Sequence, residues 1–545
     1  MASINIKTLF LLIFITFNSV NAQDEFRLFP YLQNPESNAM TIIWFSTTNT
    51  AGYLSYSKKN VNEQAVLTSI PIQANSLEYS KWEIETFFKN KVPSNPYRHR
   101  LRIENLQPAT TYQYTITQGN NIFNSAFKTA PLGNAKIRII VYADSETEPE
   151  SRNKFSSWGD PTNNDPAKTK SRQYLIDQTL GYQNNLDVIQ SRKPDLILIA
   201  GDLVESGGEQ RDWDEFWRHN TNKIGQQSLA SKIPVIAAIG NHEYYEGPFS
   251  DRYNQPGSER AVNKYLEYFE YPSNQAPQRE HDGRYYSLKY GPVTLIILDL
   301  CNNGVNKSVQ DSNYYLLGEQ DEGGGFAPDF GKHSQQYKWL KIELEKSQKN
   351  SLFTFVAFHH TPYSSGPHGL PSGEANHSND QFDNQFDNQF DNQSGSPARL
   401  LTPIFMQYGV DAVFSGHDEM WERSVINGKE ITPDDREVSH AIHYYDVGIG
   451  GDGLRSPVDG LVNSYKKFLA HDDAVEVWKD GILVSGGKHY GHLEIDIVPL
   501  ENNRWQAILK PIYILPIKDK NNKTYSSYSR RMYDDIITII STATK

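Results

Sequence analysis

Residue types that bind metal ions follow five short apolar runs between residues 137 and 419. A glycine stands before three of these donors, in "GD", "GN" and "GH", where it lets the backbone approach a bound group without a Cβ clash. Carboxylate, amide and imidazole groups are protein ligands of divalent cations. The pattern therefore predicts a metal site built from Asp144, Glu146, Asp202, Asn241, His242, His359, His417 and Glu419.

The apolar runs predict the elements that must position these donors. Runs such as "PDLILIAGD" and "FTFVAFHH" are typical of strands buried on both faces. Helical patterns lie between them, and after Ser334, a candidate N-cap, Tyr337, Leu340 and Leu344 share one side. Because ligands of α/β sheets gather at the carboxyl ends of strands, we expect the donors to converge there. The sequence predicts an α/β domain over residues 133–545, whose sheet is completed by the strands after residue 486.

The segment from residue 23 to 132 has a different period. In "TYQYTITQ", Tyr112, Tyr114 and Ile116 fall on one face and polar residues on the other. Turn-rich segments separate several runs of this kind. This region is predicted to be a small all-β sandwich, joined to the second domain by "TAPLGNAK".

The N-terminal 22 residues have the pattern of a signal peptide. Lys7 precedes an apolar stretch over 9–17, and Val20-Asn21-Ala22 resembles a signal-peptidase site. The stretch is short of the roughly 20 residues that span a bilayer, and no second long apolar segment follows. Cys301 is the only cysteine, so no intramolecular disulfide can form, and it is predicted to be a buried small hydrophobe. We expect a protein that is secreted or periplasmic in a bacterium, with no transmembrane segment in the mature chain.

Composition limits the partners. The formal net charge of −12 argues against nucleic-acid binding through a general basic field. The repeat "DQFDNQFDNQFD" carries no glycine turn of the kind a calcium loop needs, so a flexible polar insertion over about 376–396 is the favoured interpretation. "GIGGDGL", at 448–454, is a weak candidate for a phosphate loop because the Lys-Ser/Thr ending is missing.

Beyond these patterns, the blocks "AGDLVE", "IGNHE", "FHHTPYSSG" and "SGHDEMWERS" resemble the calcineurin-like metallophosphoesterases, within them the purple acid phosphatase branch. "FPYLQNPESNAMTIIW" and "LRIENLQPATTYQYTI" resemble the fibronectin-like N-terminal domain of that branch. The resemblance implies a metallophosphoesterase β-sandwich of two mixed sheets flanked by helices, after a small fibronectin/Ig-like domain. It also implies hydrolysis of phosphate esters by a hydroxide activated between two metal ions.

The resemblance assigns roles to the donors. Asp202 would bridge two cations, and Asp144 would bind the first. Asn241, His359 and His417 would bind the second. His242 would donate to a phosphate oxygen as charge develops. His368 would protonate the leaving group, as a histidine behind the metal ligands does in relatives.

The adjacent pair His359 and His360 requires a choice. In the family the ligand stands four residues before a tyrosine, here Tyr363, and this spacing selects His359. His360 would point to the opposite face of a strand that runs into the site.

Three positions depart from the family pattern, and all carry a carboxylate. Glu419 stands where relatives have histidine, Glu146 where they have histidine or glycine, and Glu205 where the purple branch has a metal-binding tyrosine. Carboxylate oxygen is a harder ligand than imidazole nitrogen, so the first site should favour Mn²⁺, Mg²⁺, Ca²⁺ or Fe³⁺ over Zn²⁺. The second site could take Zn²⁺, Fe²⁺ or Mn²⁺. We expect two divalent or mixed-valence metal ions without the purple colour.

Three functions stay open. The first is an exported metallophosphoesterase acting on phosphate esters, polymer-linked ones included. The second is a hydrolase of another ester on a polysaccharide or lipid, where Trp213, Trp217 and Trp421 could stack on a sugar, although they could equally belong to the core. The third is a catalytically inert surface protein that binds through its β-sandwich.

Overall fold

The computed structural model describes residues 26–61, 63–159, 171–221, 228–247, 255–275, 281–301, 327–369, 395–480, 482–519 and 524–542. The predicted signal peptide lies outside these residues, and so does nearly all of the predicted insertion over 376–396. No helix in the described ranges is both long and apolar enough to cross a membrane.

The N-terminal domain is all β apart from a short helix, α1 (Lys81–Phe87). Its strands are β1 (Phe26–Gln33), β2 (Met40–Ser46), β3 (Gly52–Lys58), β4 (Ala65–Ser69), β5 (Ile72–Gln73), β6 (Tyr97–Ile103), β7 (Thr111–Gln118) and β8 (Asn121–Lys128). They form two four-stranded sheets, in the orders β1-β2-β6-β5 and β4-β3-β7-β8. Tyr112, Tyr114 and Ile116 are buried between the sheets, as the period-two pattern predicts. Tyr53, on β3, is 49% exposed and does not belong to this core.

The second domain is sheet-rich α/β. Its strands are β9 (Ile137–Tyr142), β10 (Ser157–Gly159), β11 (Ser171–Gln173), β12 (Leu196–Ile199), β13 (Val235–Ala237), β14 (Tyr286–Tyr290), β15 (Val293–Ile297), β16 (Phe353–His360), β17 (Ala412–Gly416), β18 (Trp421–Ile431), β19 (Glu437–Val447), β20 (Lys466–Leu469), β21 (Asp472–Lys479), β22 (Ile482–Gly487), β23 (Gly491–Pro499), β24 (Arg504–Lys518), β25 (Tyr525–Met532) and β26 (Ile537–Thr542). Its helices are α2 (Gln178–Arg192), α3 (Gln210–Thr221), α4 (Gln255–Tyr268), α5 (Gln335–Asn350) and α6 (Thr402–Gln407).

Two seven-stranded mixed sheets form the centre of this domain. The first has the order β13-β12-β9-β23-β24-β25, with β26 also paired to β24. The second has the order β14-β15-β16-β17-β19-β18-β20. Ile139 and Leu198 of the first sheet and Phe355 and Phe414 of the second belong to one apolar core. The prediction that the strands after residue 486 complete the sheet is confirmed, because β23 to β26 all join the first sheet.

The outer face of the second sheet is also covered. Val356 and Val413 pack there with Leu340 and Leu344 of α5 in a second apolar cluster. Alternate residues of β16 thus enter different cores, which explains why its run is apolar throughout. Ser334 caps α5 as predicted, because its side chain accepts a hydrogen bond from the amide of Tyr337 at 3.1 Å.

The two domains share buried contacts. Tyr31 of β1 stacks on Trp217 of α3 with ring centroids 4.2 Å apart, and its hydroxyl donates to the carbonyl of Tyr268 at 2.7 Å. Trp213, Trp217 and Trp421 are fully buried in the core of the second domain, which favours the structural over the sugar-stacking interpretation. Cys301 is buried as predicted. The boundary between residues 132 and 133 stays a prediction.

Candidate metal centre

The predicted donors follow parallel strands of both sheets. Strands β9, β12 and β13 run parallel in the first sheet, and β16, β17 and β19 run parallel in the second. Their carboxyl ends meet: the amide of His417, after β17, donates to both oxygens of Asp144, after β9, at 3.0 and 3.1 Å. The Nδ1–H of His359, in β16, donates to the carbonyl of Ala200, after β12, at 3.0 Å. The convergence that the strand-end pattern predicts is present.

The backbone at these strand ends is in an uncommon conformation. Five of the predicted ligands have positive φ angles, between 32° and 79°, a region that residues with a Cβ adopt rarely. They are Asp144, Glu146, Asp202, His417 and Glu419. Backbone strain of this kind costs on the order of 1–3 kcal/mol per residue and is concentrated at functional sites. The surrounding packing holds the donors in place at that cost.

One group of donors combines Asp202, His359 and His417, whose ligand atoms lie within 4.8 Å of one another. The Nε2 atom of His359 is 2.7 Å from Oδ2 of Asp202 and 3.2 Å from Nδ1 of His417. Because Nδ1 of His359 donates to a carbonyl, Nε2 is the nitrogen that faces the other two groups, and it offers an electron pair to a cation once the ring is neutral. Three electron-pair donors then face one point, which is the requirement for binding a cation.

Asn241 adds a fourth donor of the predicted second-metal set. Its amide nitrogen donates to the hydroxyl of Tyr245 at 2.6 Å, so the amide oxygen points the other way. That oxygen is buried and accepts no hydrogen bond from any residue that the structure describes. A buried amide oxygen without a donor is costly unless another group, such as a cation, binds it.

A second group combines Glu146, Asp202 and His242. The Nδ1 atom of His242 is 2.7 Å from the carbonyl oxygen of Glu205, and its Nε2 lies 3.8 Å from Glu146 and 3.9 Å from Asp202. Asp202 thus belongs to both groups, which is the position expected of a bridging carboxylate. The Nε2 atom of His242 can serve as a ligand when neutral or as a donor to phosphate when protonated.

A third group combines Glu146, Glu205 and Asp452. Asp452 was not predicted as a ligand, and it lies in the glycine-rich stretch that we considered a weak phosphate loop. This stretch follows β19, and the amide of Asp452 donates to the carbonyl of Asp144 at 3.0 Å. A Cβ on Gly453 would lie 1.3 Å from Oε2 of Glu419, so close packing around the site accounts for glycine there.

The loop after β13 is tied to the loop after β12 by Glu243, a residue whose role the sequence did not reveal. Its carboxylate accepts hydrogen bonds from the amides of Asp202, Leu203 and Gly240 at 3.1, 2.8 and 2.7 Å. A Cβ on Gly240 would lie 2.1 Å from Oδ1 of Asp202, which explains the glycine in "GN" by close approach.

Glu419 and Asp144 stand beside these groups without joining the three just described. Glu419 pairs with Arg455, whose Nη2 lies 2.7 Å from its Oε1. The Nη1 atom of Arg455 lies 3.4 Å from Nε2 of His368. The ring of His368 is in turn 3.8 Å, between centroids, from the ring of His417. The predicted leaving-group histidine is therefore next to a predicted metal ligand.

His360 does not point away from the site as a regular strand would require. The register between β16 and β17 shifts between Ala357 and His360, and this irregularity turns the side chain. The ring centroid of His360 lies 4.4 Å from that of His417, and neither of its nitrogens has a hydrogen bond within the described residues. The expectation that it occupies the opposite face was wrong, although His359 is the histidine that contacts Asp202.

The electrostatics of the site are dominated by burial. Burial raises the pKa of Asp144 to about 8. It also raises the pKa of Glu146 well above its ordinary value, and neighbouring Asp452 and Glu419 raise it further. Burial lowers the pKa of His359, but Asp202 outweighs it and raises the pKa to about 9. Buried carboxyl groups that raise one another's pKa indicate a site with an excess of acidic groups.

The donor set fits cations. The group of Asp202, His359 and His417, together with Asn241, offers two imidazoles, one carboxylate and one amide oxygen, a mixture suited to Zn²⁺, Fe²⁺ or Mn²⁺. The side with Glu146, Glu205 and Asp452 offers carboxylate oxygens, the ligands of Ca²⁺, Mg²⁺ or Mn²⁺.

Comparisons with known proteins agree with this geometry. The family model "Calcineurin-like phosphoesterase" matches residues 175–418, and "Purple acid Phosphatase, N-terminal domain" matches residues 27–130. The chain is 24% identical over 342 residues to purple acid phosphatase 18 of Arabidopsis thaliana, a match that covers 61% of this chain and 57% of that protein.

Solved structures share the fold. A purple acid phosphatase from yellow lupin (Lupinus luteus) seeds aligns with a TM-score of 0.56 at 16% identity, over 93% of this chain and 74% of that one. PhoD aligns with a TM-score of 0.55 at 13% identity, over 95% of this chain and 92% of that one. The two family models match in the expected order, so the chain contains a calcineurin-like phosphoesterase domain after a domain that matches the N-terminal domain of the purple acid phosphatases. The matches span less than two thirds of the length of the first curated relatives.

Proposed function

We propose that this chain is an exported, metal-dependent phosphoesterase that hydrolyses phosphate esters with water at a dinuclear centre. The observation that carries the proposal is the overlap of three donor groups through Asp202 and Glu146, beside the unpartnered oxygen of Asn241. Export is proposed from the leader pattern alone, as is the likeness of the first domain to a fibronectin module from its sequence blocks.

The proposed ligands are divided between two cations. Asn241, His359 and His417 would hold one, and Asp144, Glu146 and Glu419 the other, with Asp202 between them. When bound, the two cations supply the Lewis acidity that makes a water molecule nucleophilic at neutral pH and that neutralises phosphate oxygens.

The remaining roles belong to side chains of the chain itself. His242 has its Nε2 directed toward Glu146 and Asp202, from where it can donate to a phosphate oxygen. His368 is proposed to protonate the leaving-group oxygen. Its ring lies 3.8 Å, between centroids, from that of His417, so it is next to a proposed metal ligand.

The test measures metal content and hydrolysis on one preparation. Wild type and Asp202→Asn are compared by elemental analysis and by turnover of p-nitrophenyl phosphate and of bis(p-nitrophenyl) phosphate, with added Mn²⁺, Ca²⁺ or Zn²⁺. We expect metal and activity in the wild type and the loss of both in the variant. Asp434→Asn, on an exposed turn, is the matched control.

The two model esters also separate monoesterase from diesterase activity. Metal without activity on either ester would favour the specialised ester on a polysaccharide or lipid. A protein that binds no cation under any of these conditions would contradict the proposal and favour the inert binding protein.

A further inference from the structure

Arg455 connects the exposed surface to the buried site. It lies in the loop after β19, and its amide donates to the carbonyl of Glu419 at 3.0 Å. Its side chain is 44% exposed, whereas that of Glu419 is 4% exposed. The guanidinium contacts Glu419 and His368 while part of the side chain is exposed to solvent, and we call the surface around Arg455 the entrance.

Arg455 lies among acidic groups. Glu419, Glu146, Asp418 and Asp452 are the carboxyl groups that act most strongly on its charge. A phosphate group that approaches these carboxylates is repelled, and cations held by the same carboxylates are partly neutralised by them. A fixed positive charge at the entrance offsets that repulsion.

The geometry of the guanidinium suits this role. Arginine presents five N–H donors in a planar fork that matches two phosphate oxygens. One nitrogen, Nη2, is directed to Glu419, and another, Nη1, to His368. An Arg N–H can only donate, so Nε2 of His368 accepts and the Nδ1 of the neutral ring carries the proton. These two contacts use two of the five N–H donors of Arg455.

We propose that Arg455 binds the non-bridging oxygens of the substrate phosphate and that Glu419 positions it. The inference rests on the proposed function, because it assigns the phosphate-binding residue of the same centre. It also gives Glu419, which stands where relatives have histidine, a task besides metal binding: one of its oxygens holds the guanidinium toward the entrance.

The test titrates inorganic phosphate into Mn²⁺-loaded protein by calorimetry. Charge-assisted hydrogen bonds contribute enough that Arg455→Gln should raise the Kd for phosphate by about 10- to 100-fold, with unchanged metal content. Arg455→Lys keeps the positive charge but loses the planar fork, so its Kd for phosphate should lie between those of the wild type and of Arg455→Gln. Arg436→Gln, an exposed arginine paired with Asp434, is the matched control and should leave the Kd unchanged.

A double-mutant cycle tests the positioning role. Glu419→Gln, compared with the wild type at equal Mn²⁺ content by elemental analysis, should weaken phosphate binding because it releases the guanidinium. Adding Arg455→Gln to it should then weaken binding little further. Fully additive losses would overturn the positioning role of Glu419.

The outcomes separate this inference from the proposed function. If Arg455→Gln binds phosphate with the wild-type Kd and retains its metal, the inference is wrong while hydrolysis by the wild type can stand. If the wild type binds phosphate through Arg455 but hydrolyses no ester, the proposed function fails and the inference stands. If Arg455→Gln does not fold, as judged by its melting temperature, a wild-type Kd in Arg455→Lys would overturn the role of the fork.

Discussion

Two buried glutamates in adjacent parts of one sheet have opposite surroundings. Glu494, on β23, has a fully buried side chain that accepts hydrogen bonds from Arg192 at 2.8 and 3.1 Å. Lys510 and Arg530 also lie within 3.3 Å of it. Burial raises its pKa, but these cations outweigh burial and hold the pKa at about 2. Glu146, after the neighbouring β9, has Asp452, Glu419 and Glu205 around it instead, and its pKa is well above the ordinary value.

The difference lies in which groups surround each buried carboxylate. A buried carboxylate is stable when bases of the same chain surround it, as they do Glu494. Around Glu146 the chain supplies further carboxylates, an arrangement that costs free energy unless cations come from solution. The contrast predicts that Glu494 contributes to folding, and it supports the proposed role of Glu146 in cation binding.

The largest expected effect is that of removing the shared carboxylate of the metal groups. Lewis-acid activation is worth several kcal/mol, so Asp202→Asn should lower kcat by on the order of 10³-fold. Steady-state kinetics on p-nitrophenyl phosphate at saturating Mn²⁺ measures this. Full activity in Asp202→Asn would show that the two groups do not depend on this residue.

The same substitution at the two glutamates should give different stabilities. Glu494→Gln leaves several cations facing a neutral amide and should lower the free energy of unfolding by about 3 kcal/mol. Glu146→Gln in metal-free protein removes a carboxyl whose pKa is raised by burial and by neighbouring carboxyl groups, so the free energy of unfolding should fall by no more than about 0.5 kcal/mol. Urea denaturation of the metal-free variants measures both. Equal losses would remove the contrast between the two sites.

Cations should stabilise the metal-free chain. Ligand binding to the folded state alone adds about 2.7 kcal/mol at a concentration of 100 times Kd for each site. We expect Mn²⁺ added after chelation to raise the melting temperature of the wild type. The increase in Asp202→Asn should be much smaller. A variant that responds as strongly as the wild type would place the cation elsewhere.

Metal affinity should depend on pH. The pKa of Asp144 is raised to about 8, so the metal-free protein holds this proton at pH 7 and must release it when a cation binds. Affinity should therefore rise with pH up to about 8, by about 1.4 kcal/mol per unit for one proton, and fall as the pH is lowered. Calorimetry in buffers of different ionisation enthalpy counts the proton; no release at pH 7 would contradict the shifted pKa.

The smallest effect is expected at the domain interface. Arg100 of β6 pairs with Glu270, and the Arg100 side chain is 45% exposed. Without Arg100, Glu270 would still accept a hydrogen bond from the hydroxyl of Thr41, at 2.9 Å. Arg100→Gln should thus cost about 0.5 kcal/mol, as exposed ion pairs do. Urea denaturation measures this as well. A loss as large as that of Glu494→Gln would mean that this ion pair contributes more to the free energy of unfolding than exposed ion pairs do.

Most of the metal site could be predicted because its residues follow apolar runs directly. Asp202, His359 and His417 converge as expected, since the carboxyl ends of parallel strands meet. Asp452 and Arg455 were missed because they follow β19, and nothing local shows that β19 runs parallel to β17. The orientation of His360 was wrong because a register shift between two strands depends on both of them.

The order of donors and apolar runs along the chain was sufficient to predict the two-domain architecture and the strand ends that carry the candidate metal ligands. These features depend on short-range periodicity and on residue type, which are written in the sequence itself. The packing of distant strands decided the surroundings of each buried carboxylate. It placed Glu494 among basic groups and Glu146 among other carboxyl groups. Electrostatic energy depends on distances through space, and those distances exist only in the folded chain.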